Sequence, residues 1–177
     1  MSDYLNITDF LVPVNKDTLS NNVGYKEGQI GKTIQVFEET FPDLDDVQMV
    51  LVGCGEQRGA GLYTISNAAD EVRREFYNLF YWHIDVRLGD VGNIKIGNTL
   101  ADTHAALKTV IHELINIGKT VVILGGSNDL MLAQYFAFAD DKQSIDAVGI
   151  DALVDINIDS PLRSEKFLME MFTAEPN

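Results

Sequence analysis

Val47-Gln48-Met49-Val50-Leu51-Val52-Gly53 is a short, largely apolar run closed by a glycine. A run of that length and composition reads as a strand buried on both faces, the kind a parallel sheet uses. The loop Gly53-Cys54-Gly55-Glu56-Gln57-Arg58-Gly59-Ala60-Gly61 follows, and Asn67 stands where it can cap a helix over 68–80 with Val72, Phe76, Leu79 and Phe80 on one stripe. Residues 82–91 read as a second strand ending in Gly89-Asp90-Val91. Thr99 opens a long helix with Leu100, Leu107, Ile111 and Leu114 facing inward, and Gly118 sits where a left-handed C-terminal residue belongs. A third strand, Thr120-Val121-Val122-Ile123-Leu124, stops at Gly125-Gly126, and a helix near 129–139 comes next. The fourth strand is Ala147-Val148-Gly149-Ile150, after which Ser160-Pro161 opens a last helix over 161–172.

Upstream of the deciding run, Ile30, Ile34, Phe37 and Phe41 predict a helix over 27–41, ended by Pro42. Residues 1–24 read as an irregular N-terminal segment, in which Phe10-Leu11-Val12 adds a short strand or plug. Strands alternate with helices four times. That predicts βαβ units in a single domain over 1–177, a three-layer α/β/α sandwich with a mostly parallel sheet.

The bulk properties narrow the class. The 177 residues are 46% apolar, enough for a sizeable core. The formal net charge of -14 repels phosphate backbones and anionic lipid, so neither nucleic acid nor a membrane surface is an expected partner. There is no apolar run of bilayer-spanning length, and Met1-Ser2-Asp3-Tyr4 lacks the pattern of a signal peptide. One cysteine, Cys54, permits no internal disulfide and suits a reducing compartment, so the expected location is cytoplasmic.

In parallel sheets chemistry gathers at the carboxyl ends of the strands. Here those ends are the 53–61 loop, the turn 125–129 and the segment 151–155. Asp151 and Asp155 leave the same strand end four residues apart, and two carboxylates so placed can converge on one hard cation. Aspartates also cap turns and helix starts, which is the commoner use of such a pair.

Read together, these segments resemble one family. Gly125-Gly126-Ser127-Asn128-Asp129-Leu130 resembles the Gly-Gly-Asp-His-Ser-Leu turn of the arginase, agmatinase and formimidoylglutamase superfamily, and Asp151-Ala152-Leu153-Val154-Asp155 resembles its Asp-Ala-His-x-Asp segment. Val50-Leu51-Val52-Gly53 with Glu56-Gln57-Arg58-Gly59, the helix 69–79 and Leu88-Gly89-Asp90-Val91 are similar to its first strand and loop, its Ile-Arg-Arg helix and its Leu-Gly-Asp-Val strand end. Order and spacing agree from about residue 47 to about 158. The resemblance implies an arginase-like fold, of which this chain holds the first half or so, with neighbouring central strands coming from a later half.

In that family two manganese ions share a hydroxide that attacks a guanidinium or formimino carbon. Carried over by position, Asp151 and Asp155 match two metal-binding aspartates. The two histidine positions fall on Asn128 and Leu153, and a later aspartate pair has no counterpart before Asn177. Imidazole is a strong neutral donor, an amide carbonyl binds weakly and leucine not at all. The expectation is therefore a site with no cofactor, or at most loosely held Mg²⁺ or Ca²⁺. Arg58 and Ser127 are candidate lining residues of the substrate cleft, which would take a small cationic or amidine ligand. The expected function is a catalytically inactive binding or assembly module that forms a homo-oligomer through an unpaired strand edge. The alternative is a metal-dependent hydrolase of linear amidine or guanidino C–N bonds, completed by residues absent here.

Other motifs carry less. Gly53-x-Gly55-x-x-x-Gly59 has one residue too many for a dinucleotide fingerprint. His104 and His112 are eight apart on one helix, wrong for chelation, and read as surface or boundary residues. His83 reads as a core or interface residue, and Cys54 as a small buried one. Ser127 lacks the Gly-x-Ser-x-Gly context of a nucleophile elbow. The apolar face of the last helix docks on the domain's own sheet or presents a partner surface.

Overall fold

The apolar runs become strands that share one sheet. The computed structural model describes residues 7–20, 24–81, 83, 85–139 and 146–173. Its strands are β1 (Leu11–Val12), β2 (Gln35–Val36), β3 (Met49–Gly53), β4 (Leu88–Ile94) and β5 (Thr120–Leu124). The helices are α1 (Lys16–Leu19), α2 (Ile30–Thr33), α3 (Ala68–Phe76), α4 (Leu100–Asn116), α5 (Leu130–Ala139) and α6 (Phe167–Thr173). β3 lies between β4 and β5 and is parallel to both, running from Met49 opposite Thr120 to Gly53 opposite Leu124. The other edge of β4 takes β2 in parallel and β1 antiparallel.

Side chains alternate across a strand, and β3 uses both faces. Val50 and Val52 are fully buried in a core that includes Leu107, Val110, Ile111 and Leu114 of α4 and Ala133 and Ala137 of α5. Leu51 enters a second core with Ile30, Ile34, Tyr77 and Leu88. Helices therefore cover both faces of a mostly parallel sheet, the expected three layers. Thr99 caps α4 by accepting from the Asp102 N–H while the Asp102 carboxylate accepts from the Thr99 N–H. Gly118 follows α4 at φ +76°, as its position predicted.

Several elements differ from expectation. The helix over 27–41 is one turn, α2, because Ile34 turns to ψ 134° and the chain extends into β2. Its apolar residues are shared out, with Ile30 and Ile34 in the second core and Phe37 and Phe41 against the first. The second strand starts later than 82, at Leu88; Trp82 lies outside the described residues, and His83 is exposed. Asn67 makes no cap bond, and the Ala68 N–H is instead accepted by Ser66 Oγ at 3.2 Å. The residues 147–150 are exposed and join no ladder. The last helix is shorter, with a 3-10 turn over Arg163–Glu165 before α6. α6 packs Phe167 and Met171 on Leu132 of α5, so its apolar face meets a helix rather than the sheet.

The helix α3 departs most instructively. Val72, Leu79 and Phe80 of the predicted stripe are exposed, and the face turned inward carries Ala69, Arg73 and Tyr77. Arg73, with no exposed surface, uses all its N–H donors. Nε and Nη2 grip the Asp90 carboxylate at 2.8 and 2.9 Å, Nη2 also reaches Gly92 O, and Nη1 reaches Asp70 and Asn93. Tyr77 Oη adds a bond to Asp90 at 2.8 Å. Burial and the Asp90 charge push the Tyr77 hydroxyl well above its ordinary pKa, so it stays a donor. Asp90→Asn leaves the buried guanidinium with only the partly exposed Asp70 carboxylate as a counter-charge and is expected to lower stability by about 3 kcal/mol in urea unfolding. Glu71→Ala, which breaks the exposed pair with Arg74, should lower it by no more than about 1 kcal/mol.

Candidate functional site

The turn after β5 presents the residues singled out at the strand ends. Gly125 and Gly126 both hold φ near +83°, a region that disfavours side chains, and the chain reverses through them into α5. Asn128 then points its amide at the segment beyond. Its Nδ2 donates to Asp151 Oδ2 and to Asp155 Oδ2, each at 3.1 Å. Asp151 Oδ1 also accepts from the Leu153 N–H at 3.3 Å. The two aspartates do meet, with a neutral amide between them; Asn128 and Asp151 are exposed and Asp155 is half-buried. They line a cleft of about 570 Å³ whose walls include Ser127, Leu153 and the apolar Met131, Leu168 and Phe172.

Ser127 turns partly away from that cleft. Its Oγ donates to Asp129 Oδ1 at 2.6 Å, and its N–H donates to Glu56 O. Asp129 is fully buried and takes its other bond from His104 Nε2 at 2.9 Å. Burial works against the Asp129 charge, yet the bonds from His104 and Ser127 hold its carboxyl below the usual range. His104 is therefore a buried partner from α4, not the surface or boundary residue expected. A side chain on Gly59 would collide with the Asp129 carboxylate, which explains a glycine there. Asp129 thus joins α4, the turn and the 53–61 loop, and it positions the backbone that carries Asn128.

Arg58 lies outside the cleft lining. It pairs with Glu56 and spends its other donors on the Gly97, Asn98 and Thr99 carbonyls and on Thr103 Oγ. It staples the 53–61 loop to the start of α4. Burial opposes the Glu56 charge, but the bonds from Arg58, its backbone N–H and Thr103 overcome this and hold the carboxyl at about 2. Cys54 is fully enclosed, and burial pushes its thiol up to about 11, which suits a packing residue.

Among the described residues, no three His, Cys, Asp or Glu side chains gather to hold a metal ion. The donor set does not fit a manganese pair. Two carboxylates converge, but the third group offers them N–H bonds, and Leu153 brings no donor atom. His104 is engaged with Asp129 on the far side of the turn. His104 and Asp129 escaped sequence reasoning because they are 25 residues apart and each has an ordinary local use.

A three-layer fold with a mostly parallel sheet and its polar turns gathered after the strands defines an arginase-like α/β protein. The chain belongs to the arginase family, whose sequence model matches residues 47–168. No curated protein matches it. Solved structures similar to it include a formimidoylglutamase from Bacillus subtilis (16% identity, TM-score 0.68, 88% of this chain and 50% of that one). A formiminoglutamase from Trypanosoma cruzi with manganese is also similar (17%, 0.56, 76% and 50%). So is a hypothetical agmatinase from Burkholderia thailandensis (18%, 0.58, 73% and 46%). At these identities the likeness is one of fold, and the chain spans about half the length of those structures.

The Glu56 carboxyl, depressed from 4.5, contributes stability above about pH 4.5 that is lost as the pH falls toward about 2. The melting-temperature gap between the native chain and Glu56→Gln should therefore narrow on acidification across that window.

Proposed function

We propose that this chain is a non-catalytic member of the arginase family that acts as a binding or assembly module in a reducing, cytoplasmic compartment. One observation carries the reading: the Asn128 amide, a neutral hydrogen-bond donor, satisfies both Asp151 and Asp155. A hydroxide nucleophile at neutral pH needs a strongly polarising cation, and fixed two-metal geometry needs more donors than two carboxylates. The cleft is suited instead to a small cationic or amidine group, and any Mg²⁺ or Ca²⁺ is held loosely. The lone, enclosed Cys54 accords with the compartment.

A second reading has its own support. Asp151 and Asp155 converge on a single atom, so they are spaced to share one centre. With further ligands from residues outside this sequence, they would serve a hydrolase of linear amidine or guanidino C–N bonds. Metal analysis of the purified protein, with manganese-dependent assays for urea, formamide and ammonia, separates the two. The module reading expects neither bound manganese nor product; stoichiometric manganese with turnover would overturn it.

The missing nitrogen donors can also be put back. Asn128→His with Leu153→His is expected to raise Mn²⁺ affinity, by calorimetry, at least the roughly 10–100-fold that even supporting residues contribute at metal sites. No gain would mean that missing imidazoles do not limit the site.

A further inference from the structure

In the motif that the turn after β5 resembles, Gly-Gly-Asp-His-Ser-Leu, a carboxylate precedes the metal-binding position and a hydroxyl follows it. Here the two have changed places: Ser127 precedes Asn128 and Asp129 follows it. The flanking side chains bond to each other, Ser127 Oγ donating to Asp129 Oδ1 at 2.6 Å. The other carboxylate oxygen faces α4, where His104 Nε2 meets it at 2.9 Å. Ser127 is half-buried and Asp129 fully buried, while Asn128 between them is exposed. With both neighbours pinned inward, the middle side chain is left the outward direction, and its Nδ2 reaches Asp151 and Asp155.

The far end of this chain of bonds is itself firm. His104 lies in the second turn of α4, just past the Thr99 and Asp102 cap, and is buried beside Thr103 and Leu107. A side chain on a long, capped helix holds geometry more closely than one on a turn.

We propose that His104 is the positioning residue of this corner: through Asp129 it fixes the direction of the Asn128 amide, and so the approach of Asp151 and Asp155. In metal centres, hydrogen-bonded groups behind the ligands orient them. Here the same support stands behind an amide. The assignment goes beyond the module reading, because it concerns what sets the corner rather than what the cleft binds. A pair that merely offset the burial of a carboxylate would act on the whole fold; a positioning pair acts on Asn128 in particular. Gln29 supplies the reference. It sits beside Ile30 of the second core, and its side-chain Nε2 donates to Asn78 O at 2.7 Å.

NMR order parameters of the Asn128 and Gln29 side-chain amides, in the whole chain with EDTA present, test this. Both should exceed about 0.6 in the native chain. His104→Leu removes the donor, and should drop Asn128 below about 0.6 while leaving Gln29 unchanged. His104→Gln places an amide donor where Nε2 lies, and should restore Asn128. Because leucine alone strands a buried carboxylate, His104→Leu with Asp129→Ser removes the charge together with its partner, and should loosen Asn128 equally. Four results would each overturn the proposal: Asn128 mobile in the native chain, Asn128 still ordered in a folded leucine variant, Gln29 loosened along with it, or no rescue by glutamine. Failure of the double variant to fold would make the pair a purely structural one, which overturns it as well. EDTA keeps these outcomes apart from the manganese assays.

Discussion

An arginine and an aspartate withdrawn from water lose several kcal/mol of solvation each, and only close, complete pairing offsets it. Arg73 and Asp90 meet that demand with a two-pronged contact, and Asp70, Asn93, Tyr77 and the Gly92 carbonyl complete their shells. Much of the architecture follows. The pair fixes the roll of α3 about its axis and clamps it to the middle of β4, the strand that receives β1, β2 and β3. It also turns Val72 outward, because the polar face has claimed the sheet side.

The same economy of buried polar groups organises the opposite end of the strands. Asp129, enclosed and ionised, draws His104 from α4 and Ser127 from the turn, while Gly59 leaves room for its carboxylate. Glu56 and Arg58 tie the neighbouring loop to the same helix. The turn bearing Asn128 is thus held from behind by hydrogen-bonded ions, and its front meets Asp151 and Asp155.

Residues 47–53 and 120–124 were legible as strands because each is a largely apolar run closed by glycine, and 88–91 because Gly89-Asp90-Val91 marks the end of the predicted second strand. The long helix α4 was legible through Thr99 and Gly118, whose conformations are dictated locally. The helix over 27–41 misled because an apolar stripe of helical spacing can also be divided between two cores by a bend. The stripe on α3 misled because periodicity counts apolar residues, while the decisive side chain there is an arginine whose partner lies on another element. For the site, Asp151, Asp155 and Asn128 could be grouped from their place at strand ends and from family resemblance. That Asn128 would donate to both carboxylates depends on side-chain geometry, and the bond between His104 and Asp129 depends on tertiary approach.

The amide of Asn128 is an uncharged, permanent part of the chain. On the reading proposed here, the shape of this corner answers to no exchangeable ion. Neither a chelator nor scarcity of transition metals would loosen it.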